Sequence, residues 1–174
     1  VGIISVKNKN NEDPGAPVMG GFMPKGELTV PDLANLSGID GQIVVPISSF
    51  DSANPVRDER IQRTFFEVAT HPDITFEFAS VDGVPEGGLV VDQGVEVTVN
   101  GRISMHGQTQ DVSVPMRATT YEAGHTKLTT DMPFEVSIES FGMGEQLQAL
   151  ITECAHASVE DAVQVTVDLT LTPG

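Results

Sequence analysis

The chain has 174 residues, 39% of them hydrophobic, enough for one domain (1–174) with a substantial core. Twenty-five acidic against nine basic residues leave a net charge of −16 at pH 7, which repels phosphate backbones and anionic membrane surfaces, so no nucleic-acid partner is expected. A single cysteine, Cys154, rules out an intramolecular disulfide and a thiolate zinc cage, and no apolar run approaches the roughly 20 residues that span a bilayer, so an integral membrane protein is not expected either.

Strand signals recur from end to end. Val1 to Val6 is the first, followed by a loop over Lys7 to Gly21, rich in Asn, Gly and Pro. Phe22 to Val30 and Gln42 to Phe50 read as strands, the second with Ile43, Val45 and Ile47 on one face and Pro46 marking an edge or bend. A helix then opens with Asn54 as N-cap, Pro55 at its first position and Asp58 and Glu59 in its first turn, where the helix dipole favours negative charge. Ile61, Phe65 and Val68 share one face of it, and His71-Pro72 stops it, because the residue before proline avoids helical backbone angles.

Ile74, Phe76 and Phe78 continue as a strand, and Val95, Val97, Val99, Ile103 and Met105 share the face of another. His106 to Gln108 turns the chain into a partner strand with Val112, Val114 and Met116 inward. Leu128 to Ile138 reads as one strand with Met132, Phe134, Val136 and Ile138 on one side. A second helix over Met143 to Ala155 carries Met143, Leu147, Leu150, Ile151 and Cys154 as its apolar stripe, which makes Cys154 a small buried hydrophobe. The last strand alternates Val163, Val165, Val167, Leu169 and Leu171 with polar residues. About eight strands joined mostly by short turns point to an all-β antiparallel meander, which must pack on a second sheet or close into a barrel.

Several of these segments resemble the YceI-like family of bacterial lipid-binding proteins, also described as polyisoprenoid-binding. The likeness rests on Ser5-Val6-Lys7-Asn8, Ser48-Ser49 with Asp51, Arg57-Asp58, Phe65-Phe66, the run His71-Pro72-Asp73-Ile74-Thr75-Phe76, Asn100-Gly101-Arg102-Ile103 followed by Gly107-Gln108-Thr109, and Phe141-Gly142. The resemblance implies an antiparallel, eight-stranded, lipocalin-like barrel with two short amphipathic helices. It implies non-enzymatic binding, transport or storage of a long isoprenoid or similar amphiphile in the lumen. It also implies a periplasmic or exported protein whose signal peptide has been removed, and no cofactor beyond a bound isoprenoid or quinone-type lipid.

Such binding needs a dry, elongated wall rather than catalytic groups. Each buried methylene contributes about 0.8 kcal/mol, so a five-carbon prenyl unit contributes roughly 3 kcal/mol before ordering costs. Candidate wall residues are Ile43, Val45, Ile47, Phe66, Ile74, Phe76, Phe78, Val97, Val99, Val112, Val114, Met132, Phe134, Val136, Val165 and Val167; the alternative is that they simply fill the barrel. Arg57 either meets a pyrophosphate or other polar head at the mouth, where a guanidinium fork suits it, or makes local contacts that hold the helix. No catalytic residue and no metal ligand is expected: the helix stop and turn account for His71, and His106 and His125 lie in or beside turns with no second histidine at metal-type spacing from either. A lipid-acting isomerase or hydrolase would require Lys127, Asp131 or His125 to point inward through a slip in parity near Pro133. A third reading is a filled barrel whose surface docks an envelope or respiratory partner, or a second copy as a homodimer.

Overall fold

The computed structural model describes residues 2–8, 16–122 and 124–172. Its strands, in chain order with the helices, are β1 (Gly2–Asn8), β2 (Ala16–Gly21), β3 (Lys25–Thr29), β4 (Asp40–Pro46), α1 (Pro55–Arg60), β5 (Asp73–Asp82), β6 (Gly94–Met105), β7 (Gln108–Thr120), β8 (Thr126–Thr129), β9 (Phe134–Ser137), α2 (Gly144–Glu153), β10 (Ser158–Val159), β11 (Ala162–Thr166) and β12 (Asp168–Leu171). All the ladders are antiparallel. One sheet runs β12-β8-β7-β6-β5-β4-β3, and the other runs β10-β1-β11-β9 with β2 also paired to β1.

Two passages cross from one sheet to the other and close the barrel on one side. The expected strand Leu128–Ile138 breaks at residues 130–133 into β8 and β9, and the expected strand Val163–Leu171 breaks at Val167 into β11 and β12. On the opposite side Gly21 N donates to Asp51 O (2.9 Å) and Asp51 N donates to Gly21 O (3.0 Å), tying the end of β2 to the segment after β4. These two breaks, together with the unexpected short strands β2 and β10, are why twelve strand segments stand, among the described residues, where about eight were expected.

The N-terminal region differs from expectation. The loop assigned to Lys7–Gly21 contains strand β2, paired along β1 from Gly2↔Gly21 to Lys7↔Ala16, while Val1 and residues 9–15 lie outside the described residues. Strand β3 begins at Lys25 rather than Phe22, and β4 ends at Pro46, beyond which residues 47–49 form a single tight turn of helix.

Local chemistry accounts for α1. Asn54 Oδ1 accepts from Arg57 N (3.1 Å), Pro55 occupies the first turn, and Asp58 accepts from the backbone N–H of Ser52 (3.1 Å) and from its hydroxyl. The regular helix stops at Arg60, well short of the expected His71. Residues 61–65 open into a wide turn in which Phe66 N donates to Ile61 O (2.9 Å). Successive residues of a regular helix point about 100° apart; the wide turn instead lets both Phe65 and Phe66 pack inward, their rings edge-on with centroids 4.7 Å apart. Gly101 is required where β6 pairs with β5 beside the register shift after Phe78, because a β-carbon there would collide with the Glu77 carbonyl oxygen and stand 2.5 Å from the Phe76 ring.

Candidate functional site

Strands β4 to β7 and β9 to β11 together wall an apolar lumen of about 220 Å3. The alternating faces read from the sequence supply it: Ile43 and Val45 from β4, Ile74, Phe76 and Phe78 from β5, Val99, Ile103 and Met105 from β6, Val114 and Met116 from β7, and Phe134 and Val136 from β9. Val163 and Val165 of β11, then Val167 and Leu169, keep the same face inward through the break between sheets. One end is covered by Ile61, Phe65 and Phe66 of the wide turn and by Leu147 and Leu150 of α2. Arg63 and Thr64 hold these two covers together through the Glu153 carboxylate of α2, each at 2.5 Å, and Arg60 approaches the same carboxylate at 3.7 Å. That clamp keeps the Glu153 carboxyl below the ordinary range, the Thr64 hydroxyl contributing most, with the arginines adding to it.

Twelve of the sixteen wall candidates line this lumen; Ile47, Val97, Val112 and Met132 do not. Ile47 is 1% exposed and packs in the core from the tight turn after β4, where the strand alternation has ended. Val112 is half-buried against the core, beyond the lumen wall. Met132 is 78% exposed, because the chain leaves β8 in a bend anchored by Asp131 on Arg117 (2.6 Å) before Pro133. Met132 and Val97 line a second hollow of about 550 Å3, which shares Met116 and Phe134 with the lumen. Asp82, Glu96 and Asp131 also line it, so its wall is charged, unlike that of the lumen.

Arg57 does not reach the lumen. Its Nε donates to Ser52 Oγ and its Nη2 to Ser52 O, both at 2.7 Å, so the guanidinium fork is used on the loop that starts α1. The other arginines pair with acids: Arg60 and Arg63 with Glu153, Arg102 with Glu77 (2.8 Å) and Arg117 with Asp131. Among the described residues lining the lumen, the one charged group is Glu160, an exposed residue that marks the rim. The parity does not slip near Pro133: Leu128 before the bend and Phe134 and Val136 after it all face inward, so no titratable group is turned into the lumen. Lys127 pairs with Asp168 (2.8 Å), Asp131 with Arg117, and His125 stacks on Tyr121 with ring centroids 5.0 Å apart. Cys154 is half-buried at the end of α2.

A polar cluster lies just behind the covered end. His106 Nε2 and Glu67 Oε2 are 2.7 Å apart, Gln146 Nε2 donates to the same oxygen (3.0 Å), and the His71 and His106 rings sit with centroids 4.1 Å apart. The hydrogen bond from His106, then that from Gln146, holds the Glu67 carboxyl below its usual range. Sequence reading placed both histidines at turns, which is where they are. It missed their meeting, because they stand 35 positions apart, across β5, β6 and the loop between them, and only the fold brings them together.

The fold and its interior define a class: a curled antiparallel β-barrel with an apolar lumen. The chain belongs to the YceI-like domain family, whose sequence model matches residues 8–171. Its structure is similar to that of a polyisoprenoid-binding domain from Saccharophagus degradans, with TM-score 0.80 and 18% identity over 97% of this chain and 90% of that one. It is also similar to BcnA of Burkholderia cenocepacia (TM-score 0.69, 20% identity, 98% of this chain and 96% of that one) and to a YceI protein of Campylobacter jejuni (TM-score 0.66, 15% identity, 95% and 91%). Among curated proteins, none matches the chain significantly.

Proposed function

We propose that this protein binds a long apolar chain, an isoprenoid or a quinone side chain, inside the barrel and carries or stores it without chemical change. The observation that carries the reading is the lumen itself: a 220 Å3 hollow walled by aliphatic and aromatic side chains from two sheets and both helical covers. An apolar cavity of about 150 Å3 already stays dry and takes up benzene, whereas drug-sized pockets run about 300 to 1,000 Å3. The lumen as it stands therefore fits a slender chain end, and a longer chain extends past the rim at Glu160 or parts the helical covers. Membership of the YceI-like family and the fold shared with the Saccharophagus polyisoprenoid-binding domain support the same reading.

The lining also bears on the head group and on catalysis. With its arginines committed elsewhere and Glu160 at the rim, the mouth favours a neutral head, such as a quinone, alcohol or amide, over a pyrophosphate. The lining offers one carboxylate and no adjacent base and nucleophile, which fits binding rather than turnover. Organic extraction of the expressed protein followed by mass spectrometry should yield one apolar chain per protein. Delipidated protein should then take up a long-chain quinone or polyprenol more tightly than the matching polyprenyl pyrophosphate. Protein that is repeatedly lipid-free and takes up none of these compounds overturns the reading.

A further inference from the structure

Three groups far apart in sequence converge behind the covered end of the lumen: the Glu67 carboxylate and the rings of His71 and His106, whose ligand atoms all lie within 4.8 Å of one another. Phe66, Met105 and Leu147, the chain neighbours of Glu67, His106 and Gln146, all line the lumen, so the cluster sits directly on its wall. We propose that Glu67, His71 and His106 form a site for one divalent transition-metal ion of the zinc, cobalt or nickel type.

The donor chemistry selects that class. Two imidazoles and a carboxylate suit borderline metals, whereas magnesium and calcium prefer all-oxygen sets. Metal bonds of about 2.1 Å at tetrahedral angles hold donor atoms roughly 3.4 Å apart. That spacing lies between the present 2.7 Å from Glu67 to His106 and the 4.8 Å limit of the cluster, so small side-chain rotations close the site. The ion takes the place of the hydrogen between His106 Nε2 and Glu67 Oε2, with the His106 ring proton moved to Nδ1. Glu67 is 45% exposed in its side chain, which leaves a path from solvent, while His106 at 13% is held in place.

Two further observations point the same way. The Gln146 side-chain oxygen is buried with no hydrogen-bond partner, although its amide nitrogen touches the cluster. Turning that amide over brings an oxygen to Glu67 Oε2, an arrangement that a cation between them makes favourable and that two oxygens alone do not. Glu67 and His106 also both stand on left-handed backbone, at φ 50° and 51°. His106 occupies the first position of the two-residue β6–β7 turn, where Asn or Asp before glycine is the usual choice, so the histidine is not there for the turn's sake.

The test uses untagged protein titrated with CoCl2 and ZnCl2 in moderate salt and excess MgCl2, which occupies the acidic surface. One saturating equivalent of cobalt should give visible d–d absorption and paramagnetically shifted ring-proton signals from two of the four histidines, and ZnCl2 should displace it and raise Tm. His71→Gln and Glu67→Gln, checked for unchanged circular dichroism, should each weaken binding by about tenfold or more. The two-histidine signature is read on the wild-type protein, so it stands whether or not the variants fold. Absence of a saturable equivalent, or cobalt bound with fewer than two histidines or equally well by folded variants, overturns the site. None of these readouts depends on lipid, so the metal site and the carrier reading fail separately.

Discussion

Thr130 and Val167 clasp each other at the corner of the barrel: Thr130 N donates to Val167 O and Val167 N donates to Thr130 Oγ1, each at 3.0 Å. Both residues sit where a passage leaves one sheet for the other, so the pair supplies the hydrogen bonds that neither ladder provides there. Thr130→Val keeps the shape and removes the acceptor for Val167 N, leaving a half-buried N–H unpaired. It should cost about 1 kcal/mol, read as a lower urea midpoint at unchanged slope, while Thr130→Ser should behave as wild type.

Filling the lumen should abolish binding without unfolding the barrel. Val136 of β9 stands opposite Val163 of β11 in the ladder, and both side chains border the hollow. Val136→Phe places a ring in that space, and a carrier should lose most of its extractable lipid while keeping its circular dichroism and a Tm within a few degrees of wild type. Full lipid occupancy in this variant would locate the ligand elsewhere, and the wider cleft at Met132 would be the next place to look.

Strand faces were legible because each buries one side against the lumen, so period-two alternation survived in β4 to β7 even with glycine inside β6. The alternation of Val163 to Leu169 was read correctly even though the strand changes sheets at Val167, since the passage bends without reversing its faces. Met132 shows the limit: Arg117, fifteen residues away, takes Asp131 and pulls the neighbouring side chain outward, a tertiary contact that no local pattern announces. Strand β2 was hidden for another reason. Its Pro17, Gly20 and Gly21 read as turn residues, but Gly20 is small because the Phe50 ring lies 2.5 Å from where its β-carbon would be. The two helical covers were legible as apolar stripes, and their joining through Glu153 was not.

Arg57 gives a direct test of the head-group question. Its fork is spent on Ser52, which also meets Asp58, so the three residues fasten the entry to α1. Arg57→Ala should lower stability by about 1 to 2 kcal/mol through the lost charge-assisted hydrogen bonds. Affinity for a neutral prenyl ligand should stay within about twofold, since Arg57 does not border the lumen. A loss of affinity confined to pyrophosphate-headed ligands would instead assign the guanidinium to the mouth.

Acid should loosen the covered end. The carboxyls of Glu67, Glu153 and Asp131 lie below their ordinary range, held there first by hydrogen bonds from His106, Thr64 and Arg117 respectively. A carboxyl that is more acidic in the folded chain than in the unfolded one stabilises the fold fully above the ordinary range near pH 4. That contribution disappears as the pH falls through the range to the lower folded value. Urea midpoints should therefore be flat from pH 7 to about 5 and fall below that. Glu153→Gln should lower the midpoint at pH 7 and flatten the acid limb, because this carboxylate joins residues 63–64 to α2. Since these groups face solvent, raising the salt concentration should shrink the wild-type acid dependence. A limb equally steep in Glu153→Gln would move the acid-sensitive contact away from the helical covers.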